Sequence, residues 1–349
     1  MVAAALLLPL TGGCDASSSH ARSGPLRVMV VGDSISQGLP GDATWRYWFA
    51  KVFKRQHVPM RMVGPTTGEK NDLETYELPW SNTAHAAKGG TTLEDHLPLV
   101  RSEVTTYHPD VVVIELGIND RKEHESPETI AAQTKELADR IWAAGPHVRI
   151  VWAQITEQAS TDRQPRVKHD KATAATDRLV ESTLGRDPRV TIAHTQWWRG
   201  GHWRPVYDTT DGTHPNAGGQ TRLAQQIASA FHVMGLLPGW PHIAHHRTWA
   251  PDPVPQLSVG SAGRLVVDWA KAAIDCWATS FRVVVRNAHG RVVSRQRRQA
   301  KPYSRRNHAS YRLPAGRYTV TLTPTRGWMT GAPSGPVAVR LESHRSRRT

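Results

Sequence analysis

Two segments far apart in the chain hold residues whose types and spacing could carry out acyl transfer. Ser34 lies in Gly32-Asp33-Ser34-Ile35-Ser36, directly after the apolar run 27–31. His214 lies far downstream in Asp211-Gly212-Thr213-His214-Pro215-Asn216, with Asp211 three positions before it. A serine hydroxyl becomes a nucleophile when a base takes its proton, and an imidazole does this near neutral pH. A carboxylate one helical turn before the histidine can orient the ring and stabilise the imidazolium.

Attack on a carbonyl creates a tetrahedral oxyanion, which needs hydrogen-bond donors already in position. The available donors are the backbone N–H groups of Ser34 and Gly90 and the side-chain amide of Asn119. Gly90 belongs to Lys88-Gly89-Gly90-Thr91-Thr92, and Asn119 belongs to Gly117-Ile118-Asn119-Asp120. Glycine lets the backbone approach a ligand closely. We therefore predict that Ser34, Gly90 and Asn119 form an oxyanion hole.

These segments fall at the ends of predicted strands and helices. Apolar runs predict strands at Arg27–Val31, Met60–Val63, Asp110–Leu116, Val148–Ala153 and Arg189–Ala193. A helical period of apolar residues follows at Trp45, Trp48, Phe49, Val52 and Phe53, and again within 130–141 and 223–231. Alternation of strands and helices predicts a three-layer α/β/α domain with a parallel sheet. In such a sheet the carboxyl ends of the strands meet at one edge, where ligands bind.

The composition changes near residue 238. Prolines at 238–241 and 251–255 predict a stiff linker, after which short alternating strands predict an all-β sandwich. Within it, Leu313-Pro314-Ala315-Gly316-Arg317-Tyr318 resembles the tyrosine corner of fibronectin type III domains. The predicted segments are a leader and tether at 1–25, a catalytic domain at 26–237, a linker at 238–255, a sandwich at 256–343 and a basic tail at 344–349.

Taken together, the motifs resemble those of GDSL-type esterases of the SGNH hydrolase superfamily. Gly32-Asp33-Ser34 matches the first block of that family, Gly90 the second, Gly117-Ile118-Asn119-Asp120 the third and Asp211–Asn216 the fifth. The resemblance implies a flavodoxin-like fold over about 26–237, with the nucleophile, base, carboxylate and oxyanion hole at the positions given above. Gly90 is preferred to Gly89 because the family pattern has a threonine two positions later, here Thr92.

The net charge and the amino-terminal segment indicate where the protein is located and what it binds. The 349 residues carry a formal net charge of +14, with arginines concentrated in the carboxyl half. The apolar stretch 2–10 before Cys14 predicts an export signal, and it also resembles a lipoprotein box in which Cys14 is acylated. An ordinary secretory signal is the alternative. We therefore expect an extracellular or cell-envelope protein, drawn to an anionic envelope polymer or membrane surface, with no nucleic-acid partner.

Tryptophans and histidines outside the motifs carry less specific signals. Four tryptophans near the predicted mouth are candidate substrate contacts, with packing in the core as the alternative: Trp80, Trp197, Trp198 and Trp203. The histidine spacings do not resemble a metal motif, and the chemistry predicted for Ser34 needs no metal or cofactor.

The sequence therefore predicts an exported serine ester hydrolase that forms an acyl-Ser34 intermediate on short-chain acyl or acetyl esters. The substrate is expected to be a small-molecule or glycan-linked ester. One alternative is a lipase for longer acyl esters. The other is a catalytically inactive protein that binds cell-wall glycan, which the complete set of motif residues disfavours.

Overall fold

A computed structural model describes most of the chain. The described residues are 24–39, 43–68, 80–160, 166–167, 171–198, 201–244, 254–270, 280–299, 306–326 and 329–342. Cys14 and the predicted leader up to residue 23 lie outside the described residues, as does the basic tail at 344–349. None of the described helices is long and apolar enough for a membrane span.

Strands and helices alternate from Leu26 to Val233. The strands are β1 (Leu26–Gly32), β2 (Met60–Val63), β3 (Ala86–Ala87), β4 (Val111–Glu115), β5 (Arg149–Ala153), β6 (Ala159–Ser160), β7 (Arg166–Val167), β8 (Val190–Ala193), β9 (Trp197–Trp198) and β10 (Gly201–His202). The helices are α1 (Ser34–Gln37), α2 (Trp45–Arg55), α3 (Leu93–His96), α4 (Val100–Tyr107), α5 (Ile118–Lys122), α6 (Pro127–Ala144), α7 (Lys171–Leu184), α8 (Pro205–Asp208) and α9 (Ala217–Val233).

Five strands form the main parallel sheet in the order β2-β1-β4-β5-β8, and the short β3 pairs with the end of β1. Every residue of β4 is buried, as expected for a central strand covered on both faces. The strand order reverses between β1 and β4, so a crevice opens beyond the carboxyl ends of these two strands. The predicted parallel α/β architecture is confirmed, and this crevice is where its motif residues fall.

Helices cover both faces of the sheet. α2 packs on α9, where the rings of Phe49 and Phe231 lie 4.9 Å apart, while α6 packs on α4 and α7. Local capping explains where two of these helices begin. Ser126 accepts a hydrogen bond from the Thr129 amide and precedes Pro127, and Asn216 accepts one from the Gly219 amide. The second cap fixes the start of the helix that follows the histidine motif.

The carboxyl-terminal segment from Gln256 to Leu341 forms two antiparallel sheets. Its strands are β11 (Gln256–Val259), β12 (Leu265–Ala270), β13 (Ser280–Asn287), β14 (Val292–Gln299), β15 (Arg306–Tyr311), β16 (Gly316–Arg326), β17 (Met329–Thr330) and β18 (Val337–Leu341). One sheet has the order β11-β12-β15; in the other, β14, β13, β16 and β17 follow one another and β18 also pairs with β16. Trp269 and Phe281, one from each sheet, meet edge to face at 5.4 Å in a shared core. The structure thus agrees with the predicted β domain.

The segment after α9 differs from the predicted linker. Ile243 is 5% exposed and belongs to the core of the α/β half, and Gln56 exchanges two hydrogen bonds with the Gly239 backbone. The proline signal at 238–241 therefore marks a packed surface segment, because apolar side chains among the prolines bury against the domain.

Candidate active site

The nucleophile segment is a tight turn at the end of β1. Asp33 caps the one-turn helix α1 by accepting a hydrogen bond from the Ile35 amide at 2.8 Å, and Ser34 is the first residue of that helix. A Cβ on Gly32 would lie 2.6 Å from the Ser36 side chain, so only glycine fits there. The turn therefore presents the Ser34 hydroxyl beyond the sheet edge, while the Ser34 N–H is among those that a helix leaves without an internal partner.

The histidine segment is a second tight turn between α8 and α9. Asp211 Oδ1 accepts hydrogen bonds from the backbone amides of Thr213 at 3.0 Å and His214 at 2.8 Å. Gly212, which lies between Asp211 and Thr213, has φ +92°, a left-handed conformation that glycine adopts without strain. The Thr210 amide donates to the His214 carbonyl at 2.8 Å and closes the turn. These local bonds hold the imidazole in one place.

The two turns meet side chain to side chain. Ser34 Oγ lies 2.9 Å from His214 Nε2, and His214 Nδ1 lies 2.7 Å from Asp211 Oδ2. Burial would raise the pKa of Asp211, but its hydrogen bonds to His214 and Thr213 and the charge of His214 lower that pKa to about 2. Asp211 is therefore a carboxylate at neutral pH and can stabilise a proton on the ring. A hydroxyl, an imidazole and a carboxylate stand in hydrogen-bonded series.

Asn119 reaches the same place from the end of β4. Its Nδ2 donates to the Thr91 carbonyl at 2.9 Å and faces Asp33 Oδ2 at 3.4 Å. Gly117, which precedes α5, has φ +110°, and a Cβ there would lie 2.5 Å from Ile155 Cδ1. The turn that delivers Asn119 thus depends on a glycine. The Asn119 side-chain amide lies beside the nucleophile turn, as expected when both strands end at the same edge of a parallel sheet.

The glycine pair at 89–90 follows β3. A Cβ on Gly89 would lie 3.5 Å from the Ser34 Cβ, and the Gly89 amide donates to Gln37 Oε1 at 2.8 Å. Gly90 is exposed with φ +85°, and a Cβ there would meet no atom within 4 Å. The glycine packed against the nucleophile is therefore Gly89, next to the Gly90 that the sequence favoured. The Gly90 N–H has no hydrogen-bond partner among the residues that the structure describes.

Two carboxyl groups are buried beneath the nucleophile turn. Burial raises the pKa of Asp33 to about 7, and burial together with the charge of Asp33 raises that of Glu115 well above its usual range. Glu115 Oε2 accepts a hydrogen bond from Ser36 Oγ at 2.6 Å. Sequence reasoning gave neither carboxyl a role, although a glutamate that ends the apolar strand β4 is an available signal.

A buried arginine holds the same turn from α2. Arg46 is fully buried and donates to the carbonyls of Ser36 at 2.7 Å, Gln37 at 3.1 Å and Thr83 at 2.7 Å. Its guanidinium also lies 5.2 Å from the centre of the Trp80 ring. A charged residue on the apolar face of a predicted helix could have indicated this role, but its acceptors are visible only in three dimensions.

The four tryptophans have different environments. Trp203 is 2% exposed and donates to the Glu157 carbonyl at 3.0 Å, so it packs in the core, which is the alternative that the sequence left open. Trp80 is half-buried against Arg46. Trp197 is 55% exposed and stacks on the ring of His202 at 5.0 Å. The Trp198 side chain lies outside the described part of the chain. Trp197 thus remains the exposed candidate for a substrate contact.

In the described part of the chain, histidine, cysteine and acidic side chains form no group that could hold a metal ion. The groups that converge on Ser34 are a base, a carboxylate and hydrogen-bond donors. This set can activate a hydroxyl and stabilise developing negative charge.

The solved structure of a family 3 carbohydrate esterase from Talaromyces cellulolyticus superposes with a TM-score of 0.51 at 20% identity, covering 61% of this chain and 98% of that one. A family 3 carbohydrate esterase from Clostridium thermocellum gives a TM-score of 0.49 at 17% identity, covering 62% and 100%. The search of curated proteins found no match.

The family comparison covers the whole site. The profile of the GDSL-like lipase/acylhydrolase family matches residues 30–222, more than half of the chain. That span runs from the nucleophile turn through the glycine pair and Asn119 to the histidine turn. The chain therefore belongs to the GDSL-like lipase/acylhydrolase family and is an esterase-type hydrolase.

Proposed function

We propose that the protein is an exported serine ester hydrolase that acts through an acyl-Ser34 intermediate. His214 is the general base, and Asp211 orients and stabilises its ring. One observation carries this proposal: the unbroken hydrogen-bonded series from Ser34 Oγ to His214 at 2.9 Å and from His214 to Asp211 at 2.7 Å. Nucleophile and base within hydrogen-bond reach, with the base held by a third group, is the arrangement that activates serine.

The proposed reaction has two half-reactions. Ser34 Oγ attacks the ester carbonyl carbon while its proton passes to His214 Nε2. The C–O bond to the alcohol then breaks, and the alkoxide leaves with that proton as the alcohol. Water, deprotonated by the same nitrogen, attacks the acyl-serine and releases the carboxylic acid, and Ser34 regains its proton. Proton transfer of this kind typically contributes about 100- to 10,000-fold.

The proposed oxyanion hole uses the Ser34 amide, the Asn119 side chain and the glycine pair. Support comes from the position of the Ser34 N–H at the start of α1 and from Asn119 Nδ2, whose contact with Asp33 is long at 3.4 Å. A developing oxyanion would take over that hydrogen. Gly89 and Gly90 both offer an amide, and we propose Gly90 as donor because the Gly89 amide is already bonded to Gln37.

A short acyl group is proposed because the site is open and polar. The Asp211 side chain is 40% exposed and that of His214 is 22% exposed, so the catalytic pair lies at the protein surface. Polar groups of the site include Gln37, which holds the Gly89 amide, and Lys122, whose Nζ lies 3.5 Å from Asn119 Oδ1. A long hydrocarbon chain gains little by burial against such groups, whereas an acetyl group on a polar alcohol can be accommodated.

The test compares wild type, Ser34→Ala and Ser182→Ala on p-nitrophenyl acetate. Ser182 is an exposed serine on α7 and serves as the matched control. We expect Ser34→Ala to lose at least about 1,000-fold in kcat and Ser182→Ala to match wild type. Wild type and Ser34→Ala are also treated with a fluorophosphonate. Peptide mass spectrometry should find the label on the Ser34 oxygen of wild type and no label at that position in Ser34→Ala. Equal turnover in all three proteins would refute the mechanism.

A substrate panel separates the alternatives. Acyl esters from acetyl to palmitoyl and acetylated polysaccharides are compared by kcat/KM. A maximum at acetyl supports the proposal, and release of acetate from polysaccharide would identify a glycan-linked ester. A maximum at long chains indicates the lipase alternative. Retention on polysaccharide without hydrolysis of any ester indicates the inactive binding protein.

Export and the identity of the carboxyl-terminal domain complete the proposal. The apolar stretch 2–10 supports export, and fractionation of cells that express the chain with and without residues 1–25 tests it. We also propose that the β domain is fibronectin type III-like. Tyr318 donates its hydroxyl hydrogen to the Pro314 carbonyl at 2.9 Å, the bond that characterises a tyrosine corner.

A further inference from the structure

One sheet of the carboxyl-terminal domain has an outer surface built from arginines. In β13 the residues Phe281, Val283 and Val285 point into the core, so Arg282 and Arg286 point outward. The strand pairings extend this outer surface across β14, β16 and β18. We call it the arginine face. Its arginines are all exposed: Arg282, Arg286, Arg295, Arg297, Arg317 and Arg340.

The arginine face contains two like-charge pairs. Arg282 is directly opposite Arg297, and Arg317 is directly opposite Arg340. Like charges at opposed positions of a sheet destabilise it. The sequences of β13, β14, β16 and β18 contain no aspartate or glutamate to offset the repulsion. Arg297 donates to Ser280 Oγ at 2.7 Å and Arg286 donates to the Gly290 carbonyl at 3.0 Å, but these acceptors are uncharged, so the positive charge of the face remains to attract an anionic ligand.

The arginines follow a diagonal across the sheet. Neighbouring strands lie about 4.8 Å apart and alternate residues of one strand about 6.8 Å apart, so the pairings place consecutive arginines about 5–8 Å from one another. The row from Arg297 to Arg340 is about 25 Å long. Beside it, β16 presents two partly exposed threonines outward, Thr319 and Thr321. A linear row of cations with hydroxyls alongside fits an extended chain that carries a negative charge on each repeat.

We propose that the arginine face binds an extended carbohydrate-based polyanion whose repeats carry carboxylate or phosphate groups. Guanidinium groups form paired hydrogen bonds with either anion. The only aromatic residues of the four strands, Phe281 and Tyr318, point into the core, so the face offers no platform for stacked nucleic-acid bases. Val292, opposite Arg286, is an exposed apolar side chain of this face, and a single valine buries too little apolar area to hold the domain in a bilayer. This inference goes beyond the esterase function and does not depend on it.

The experiment uses the full chain and two triple variants with equal loss of charge. The face variant is Arg282→Gln, Arg295→Gln, Arg340→Gln. The control variant replaces three exposed arginines of the α/β half by glutamine: Arg101, Arg178 and Arg186. Binding is measured at low and at physiological salt to polygalacturonate, phosphomannan and neutral dextran. Binding to duplex DNA and to phosphatidylglycerol vesicles is measured in the same way.

We expect wild type and the control variant to bind at least one of the two carbohydrate-based polyanions and not dextran, more weakly as salt rises. The face variant should bind about tenfold more weakly, which corresponds to about 1.4 kcal/mol. The polyanion that binds identifies the carboxylate or phosphate source. Equal weakening in both variants, no binding of either polyanion, or tighter binding of DNA or vesicles would overturn the proposal.

Stability supplies an independent readout. The face variant loses one member of each opposed pair, so without polymer its Tm should equal or exceed that of wild type. Addition of polyanion should raise the Tm of wild type and of the control variant, and should raise that of the face variant by less at the same polymer concentration. A lower Tm for the face variant without polymer would contradict the reasoning. Turnover of p-nitrophenyl acetate by all three proteins checks the α/β half separately, so failure here and failure of the proposed esterase are distinguishable.

Discussion

Replacement of Asp33 by asparagine should change how the stability of the protein depends on pH. Asp33 is fully buried under the nucleophile, and burial raises its pKa from 3.8 to about 7. Asparagine has nearly the same shape and keeps the oxygen that accepts the Ile35 amide. The substitution therefore removes the titration of this group while leaving the helix cap in place.

The sign and size of the expected change in stability follow from proton linkage. Between pH 3.8 and about 7 the folded protein holds a proton on Asp33 that the unfolded chain has lost. Stability from this group is therefore full below the unfolded pKa and is lost as pH rises to the folded pKa. At 1.36 kcal/mol per unit of pKa, the gap amounts to about 4 kcal/mol. Asp33→Asn lacks this loss, so its stability relative to wild type should rise by about that amount from about pH 4 to pH 8.

The assay is urea unfolding of both proteins across that pH range, with Asp139→Asn as control. Asp139 is an exposed carboxylate on α6 in an i, i+4 ion pair with Lys135, so its substitution should shift stability by less than about 0.5 kcal/mol at any pH. The difference between Asp33→Asn and wild type should rise through the window and level off above about pH 7. A difference that stays constant with pH, or falls, would refute the conclusion that the carboxyl is protonated in the folded protein.

Three further predictions concern the site and its support. Arg46→Met should lower the free energy of unfolding by at least about 3 kcal/mol in urea titrations, because buried carbonyls lose their donors. Asp211→Asn should lower kcat about 10,000-fold on p-nitrophenyl acetate and Asn119→Ala about 100- to 1,000-fold, both with unchanged circular dichroism. Trp203→Ala should lower the free energy of unfolding by about 3–5 kcal/mol in urea titrations, whereas the exposed Trp197→Ala should change only KM.

The convergence of the proposed site residues was predictable because their positions depend on few physical rules. The apolar runs of β1 and β4 identify buried strands, and a polar turn after each strand must lie at the sheet edge. Helix α9 begins at Asn216 for a reason visible in the sequence, an N-cap residue before an apolar period. Ser34, Asn119 and His214 each follow or precede such an element directly. Their convergence therefore needs only the parallel sheet, which strand–helix alternation already indicates.

Other features were not predictable because they depend on contacts between distant segments. Gly89 and Gly90 have the same local signal, and only the approach of Gly89 to Ser34 distinguishes them. Trp203 is adjacent to an exposed hairpin in sequence, yet its ring is buried. Ile243 lies among prolines that predict a linker, but the domain surface has room for its side chain. In each case the deciding quantity is burial, which no short pattern encodes.

The two oxygens of Asp211 make different sets of hydrogen bonds, and this division explains how a partly buried turn can hold the proposed base. Oδ1 binds the backbone amides of Thr213 and His214, so it builds the turn, while Oδ2 binds the His214 ring and aims Nε2 at Ser34. Because one rigid group carries both sets of bonds, the turn fixes the orientation of the carboxylate, and the carboxylate in turn orients the ring. The geometry that the reaction needs is thus established by folding, before any ester binds. Electrostatic groups fixed in advance in this way need no reorganisation at the moment of reaction.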